Sequence, residues 1–159
     1  MVSHLELIVD QLEREHSGDP WHGSPLRDIL SGVDAAQAAR KPLARAHSIW
    51  ELVLHITGWK LEVAKRAGGG AASEPAAGDW PPVGEPTESR WRAALEALDA
   101  AHRELIAAVE ALHEEQLLKP TADPRNRPLG TGVSYYVMLQ GIAQHDVYHS
   151  GQIALLTKE

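Results

Sequence analysis

Apolar and polar positions repeat with a helical period in four stretches of this chain. Ser3 and Glu6 form an S-x-x-E pair, and Leu5, Ile8, Val9 and Leu12 follow at spacings of three and four. Residues so spaced share one helix face, and the serine and glutamate satisfy free amides of a first turn, which predicts a helix over about 4–16. A second such pair, Ser48 and Glu51, opens a stripe of Ile49, Leu52, Val53, Ile56 and Leu61 that stops at Gly68 to Gly70. A third helix starts at Thr87, with Trp91, Leu95, Leu98, Leu105, Val109 and Leu112 on its stripe. The fourth begins near Ser134 and runs to about Thr157 through Val137, Gly141, Ala143, Val147, Ile153, Ala154 and Leu156 without a proline. Ser24-Pro25 supplies a cap and a proline at the first helical position, so a short helix over LRDIL and a turn at Gly32 are expected between the first two long helices.

No segment alternates with period two, and there is no internal repeat. The chain therefore reads as all-α, and four amphipathic helices of these lengths pack most simply as a four-helix bundle. The stretches GGGAASEPAAGDWPPVGEP and KPTADPRNRPLGTG are rich in Pro and Gly and read as long crossover loops, not as domain boundaries. Residues 1–159 are thus expected to form a single domain, long enough to bury roughly 70% of the surface of its unfolded chain.

Composition narrows the chemistry. There is no cysteine, which excludes disulfides, thiolate catalysis and sulfur-ligated metals, and leaves the nine histidines and the carboxylates as strong ligand types. A formal charge of -7 with no basic cluster argues against a nucleic-acid partner. The N-terminal residues lack a basic start and an unbroken apolar run, and the apolar stretch IWELVLHI is short and interrupted by Glu51, so neither export nor membrane insertion is expected and a cytoplasmic location is the default.

The decapeptide QHDVYHSGQI places His145 and His149 four residues apart, one above the other on one helix face. Two imidazoles in that arrangement can share a metal ion, but a zinc centre with catalytic character usually takes three protein ligands and leaves a position open. His55 lies in the middle of the most apolar part of the second long helix, where a neutral imidazole needs partners for both nitrogens. A bundle that sets the second and last long helices side by side brings His55, His145 and His149 to one point. The alternative is that His55 is a satisfied core residue and the pair a coincidence of spacing.

The histidine segments HSIWELVLHITGWK and QHDVYHSGQIALL, together with WHGSPLRDIL, DWPPV and TESRWRAAL, make the chain resemble the DinB/YfiT-like superfamily from Trp21 onward. That resemblance implies a four-helix bundle holding a divalent metal on His55, His145 and His149. Characterised branches of the superfamily include transferases of low-molecular-weight thiols such as bacillithiol and mycothiol, a mycothiol-dependent isomerase and metal-dependent hydrolases. Two functional classes follow for this chain: a metal-dependent enzyme, either a small-thiol transferase or a hydrolase acting on a small molecule, and a noncatalytic metal- or ligand-binding bundle. An open coordination position beside a pocket favours the first; a fourth protein ligand such as His102 favours the second.

Other residues carry expectations of their own. Glu51 and Gln152 are the candidate catalytic residues, although Glu51 also completes a capping box. Asp146 occupies the place of the general base in an HExxH protease, but its expected role is to bond a neighbouring group or face solvent; its functional alternative is to accept a hydrogen bond from a metal ligand, although direct contact with the adjacent histidine ring is sterically awkward. Trp59 either lines a pocket or packs in the core. His22 is a loop residue or sits near a pocket mouth, His47 leads into the second long helix, and Tyr148 points away from the metal. Gly141 leaves room one turn before His145. Lys41, Arg45 and Lys60 are expected on a solvated surface. Zinc or nickel is the expected ion, with iron or manganese also compatible with three histidines. A homodimer is the expected assembly.

Overall fold

The structure is a computed structural model that describes residues 2–123 and 133–158; residues 124–132, most of the second predicted loop, lie outside the described residues. Four long helices, α1 (His4–Ser17), α4 (Ile49–Ala67), α5 (Glu88–Glu110) and α6 (Tyr135–Leu156), are joined by the short helices α2 (Leu26–Leu30) and α3 (Ala35–Ala39) and a 3-10 turn at Glu114–Gln116. Both predicted capping boxes are present: Ser3 Oγ accepts from the Glu6 amide, Ser48 Oγ accepts from the Glu51 amide, and each glutamate accepts from its serine's amide. Thr87 and Ser134 cap α5 and α6 in the same way, without a reciprocal glutamate. The turn at Gly32 has φ 84°, a left-handed value that glycine adopts without strain. Helix α3 was not expected from the apolar pattern; Asp34 starts it by accepting from the Gln37 amide.

The helices make the predicted all-α bundle. Helix α4 packs on α5 and α6, and α1 packs on the same two, so α1 and α4 face each other across the centre. Two apolar clusters fill the interior. One joins α2, α3 and the first half of α4 and α5 to the end of α6, around Trp50, Leu98 and Ile153. The other joins α1 to the later half of α4 and α5 and the start of α6, around Leu12, Leu105 and Leu139.

Between these clusters lies a layer of buried polar side chains. Glu15 of α1, Lys60 of α4, His102 of α5 and Asp146 of α6 are each no more than 3% exposed. One expectation is thereby corrected: Lys60 is not on a solvated surface. Of the two roles expected for Asp146, it bonds neighbouring groups and does not face solvent. Leu61, placed on the apolar stripe by its composition, is instead 39% exposed, because the stripe passes through Ile56, Lys60 and Val63. Burial of Lys60 is possible because its ammonium has three partners: Asp146 Oδ2 at 2.5 Å, Glu15 Oε1 at 3.3 Å and His102 Nδ1 at 3.3 Å.

Candidate metal centre

His55 is presented by the middle of α4, and His145 and His149 by successive turns of α6. Because α4 and α6 are neighbours, one ligand atom from each of the three imidazoles lies within 4.8 Å of the others. His55 and His149 are 6% and 7% exposed, while His145 is half-buried.

Each ring has a partner for its Nδ1. His55 Nδ1 is 2.8 Å from the Asp79 carbonyl oxygen and 3.2 Å from its carboxylate. His145 Nδ1 is 3.3 Å from Asp146 Oδ1, and His149 Nδ1 is 2.6 Å from Gln152 Oε1. Carbonyl, carboxylate and amide oxygens only accept, so Nδ1 carries the proton in all three rings and each Nε2 is left as a lone pair. His55 Nε2 and His145 Nε2 face each other at 3.0 Å. That distance requires a positive centre between the two nitrogens, either a shared proton or a metal ion. Nitrogens bound to zinc at 2.0–2.1 Å in tetrahedral geometry are about 3.3 Å apart, so the donor set fits a divalent ion.

Burial favours the neutral form of His55 and His149. It pushes His149 down to about 4, against a raising hydrogen bond from Gln152, and it also lowers His55. Neutral rings at pH 7 are the form that ligates metal.

The loop after α4 completes the site. Glu62 accepts from the Ser73 amide at 2.7 Å, and Gly58 admits Pro75 so closely that a Cβ there would lie 3.0 Å from the proline Cβ. The chain then returns over His55, where Asp79 Oδ1 also accepts from Trp59 Nε1 at 2.8 Å. Trp80 stacks on His55 at 3.9 Å and on His47 at 3.4 Å. Neither Asp79 nor Trp80 was singled out as a site residue from sequence; the only signal was their place in DWPPV.

A cavity of about 280 Å³ opens beside His145 between α4 and α6, walled by Trp59, Val63, Val137, Met138 and Ile142. Gly141 lines it too, and a Cβ there would meet nothing within 4 Å, so the expected room beside the ligand is real. Trp59 is therefore a pocket residue and also an anchor for Asp79. A second cavity, of about 340 Å³, has Gln152, His47 and Arg45 against Leu52, Leu155 and Leu156.

The remaining candidates fall elsewhere. Glu51 accepts from the Ser48 amide with one oxygen and meets Lys41 at 2.8 Å with the other. His102 stacks on His16 at 3.9 Å in the buried polar layer and is not part of the histidine triplet. His22 is exposed and lines a groove with Asp10, Arg14 and Asp19. Tyr148 is 66% exposed, with its ring edge-on to His149 at 5.1 Å. Asp146 reaches the ring of the adjacent His145 at 3.3 Å, a contact expected to be sterically awkward.

Three histidines turned inward from two neighbouring helices of a bundle are an arrangement that could hold a metal ion. The family model of the DinB superfamily matches residues 21–153, and the chain belongs to that superfamily. No curated protein and no solved structure matches the chain. Among the described residues, no helix is long and apolar enough to cross a membrane.

Proposed function

We propose that this protein is a divalent-metal-dependent enzyme acting on a small molecule, with His55, His145 and His149 as the ligands. The convergence of three imidazoles on one point, with no fourth histidine or carboxylate in that group among the described residues and a cavity at His145, is the observation that carries this reading. Bound there, a divalent ion supplies Lewis acidity toward a substrate oxygen or thiol sulfur, with none of its charge offset by the ligands. Nitrogen-only ligation favours zinc or nickel.

The chain's own residues do the rest. Asp79, Asp146 and Gln152 hold the three rings by their Nδ1 hydrogens. Trp59, Met138 and Ile142 give the cavity apolar walls that receive the hydrocarbon part of a substrate and exclude water. Gln152 has its oxygen on His149 and, among the described residues, no partner on its amide nitrogen; it lines the second cavity, beyond His149, and is a better candidate than Glu51 for orienting a substrate that reaches that side. Within this class we favour transfer involving a low-molecular-weight thiol over hydrolysis, because the carboxylates nearest the triplet are already engaged: Glu51 in a cap and an ion pair, Asp79 with His55 and Trp59, and Asp146 with His145 and Lys60. With no cysteine of its own, the chain must take that thiol from solution.

The test is spectroscopic. Protein loaded with cobalt(II) is titrated with a small thiol such as bacillithiol or mycothiol. A sulfur-to-metal charge-transfer band that saturates with added thiol is expected. An unchanged spectrum with every thiol tried, alongside measurable hydrolysis of model esters or amides, would replace the transferase reading with the hydrolase one.

A further inference from the structure

The buried polar layer has no role in ligating or covering the ion, yet it touches the triplet at one atom. Asp146 has one oxygen on Lys60 and the other on His145 Nδ1. Lys60 in turn reaches across the bundle centre to Glu15 on α1, and sideways to His102 on α5. Each long helix therefore contributes one side chain to a single cluster. A protonated Glu15 completes it: burial and the neighbouring Asp146 push its carboxyl up to about 9, so it donates to Asp146 and leaves Lys60 and Asp146 as the only charges.

We propose that Lys60, working through Asp146, is a positioning residue of the metal centre: it fixes the rotation and register of α6 against α4 and holds the Asp146 carboxylate on His145. This rests on the reading of the three histidines as a metal site. The physical ground is the cost of misalignment. An apolar layer tolerates small slips of one helix past another, whereas a buried ammonium loses its counter-ion when α6 turns or slides, and that counter-ion is one residue from a ligand. Lys60 lies five residues after His55 on α4, and Asp146 one residue after His145 on α6, so the same two helices carry both the ion pair and the ligands. A carboxylate behind a ligating imidazole also raises its donor strength, and losing such a partner commonly weakens metal binding 10–100-fold.

The experiment compares zinc affinity, by competition with a chromophoric chelator, in wild type, Asp146→Asn, Lys60→Met and the double variant Lys60→Met/Asp146→Asn. Cobalt(II) absorption spectra and melting temperatures are recorded for each. The double variant removes both charges together while Glu15 stays neutral, so it remains measurable even where Lys60→Met alone does not fold. In Asp146→Asn, Glu15 can ionise and replace the lost counter-ion of Lys60. We expect Asp146→Asn and the double variant to bind zinc about 10–100-fold more weakly than wild type, and within about twofold of each other, with altered cobalt spectra. Lys60→Met, where folded, is expected to fall in the same range. A double variant that binds zinc and cobalt as wild type does, whatever its melting temperature, overturns the proposal and leaves Lys60 a purely structural residue. Wild type that takes up no metal would instead refute the metal site itself, and the positioning role with it.

Discussion

At the scale of single residues, the site depends on hydrogen bonds one atom removed from the imidazole lone pairs. Gln152→Ala takes the acceptor from His149 Nδ1 and is expected to weaken zinc binding about 10–100-fold in a chelator competition, with little change in melting temperature of the metal-free protein. Glu15 gives a prediction of opposite character. Its carboxyl is protonated in the folded state up to about 9, against an ordinary value of 4.5. The folded state thus holds an extra proton between those values, and Glu15's contribution is present at low pH and lost as pH rises through that window. Denaturant midpoints of the wild type should fall between pH 6.5 and 9, and Glu15→Gln should remove that fall. His16 and His102 act the other way, since burial lowers each from 6.5 to about 3, and their neutral burial is lost as stability when pH drops through that range. The sequence made the three histidines legible because an HxxxH pair and a lone histidine in an apolar run are both conspicuous. Asp79 was not, because it acts through a loop whose return over α4 depends on Gly58, Pro75 and the Glu62 anchor.

Helices were read well where an apolar stripe and a cap coincide, as in α1, α4, α5 and α6. The third predicted helix was expected to continue past Glu110, but α5 ends there and a separate turn follows at Glu114–Gln116. Charged side chains on the stripe were the main source of error. Ile49, Val53, Ile56, Lys60, Val63 and Ala67 follow one another at three and four residues on α4, and Leu139, Ala143, Asp146, Ser150 and Ile153 do so on α6. Lys60 and Asp146 were therefore marked by position as buried, but polarity assigned Lys60 to solvent and left Asp146 between solvent and a neighbouring group. A lysine and an aspartate at equivalent stripe positions of two helices were each other's explanation, which no single helix reveals. At this scale the capping box of α4 is directly testable: Ser48→Ala removes the acceptor for the Glu51 amide and should cost about 1 kcal/mol, read as a lower denaturant midpoint.

For the whole molecule, the packing of α4 against α6 gathers three histidines that could hold a metal ion, and an ion bound there should in turn hold those helices together. Zinc binds only the folded arrangement, so adding it at 100 times its dissociation constant should stabilise the wild type by about 2.7 kcal/mol and raise its melting temperature. His149→Ala should show no comparable rise. Val137, Tyr148 and Leu155 are 53%, 66% and 69% exposed along α6, and we propose this face as the contact of a homodimer. Light scattering is expected to give twice the 17.3 kDa chain mass; a value for one chain would contradict the dimer.

The most direct measurement is elemental analysis by plasma mass spectrometry of untagged protein after exhaustive dialysis, wild type beside His149→Ala. Close to one divalent ion per wild-type chain, and little or none in the variant, is the expected result. A wild type that holds no metal even after reconstitution with zinc and with nickel would contradict the metal site and return the three histidines to the core.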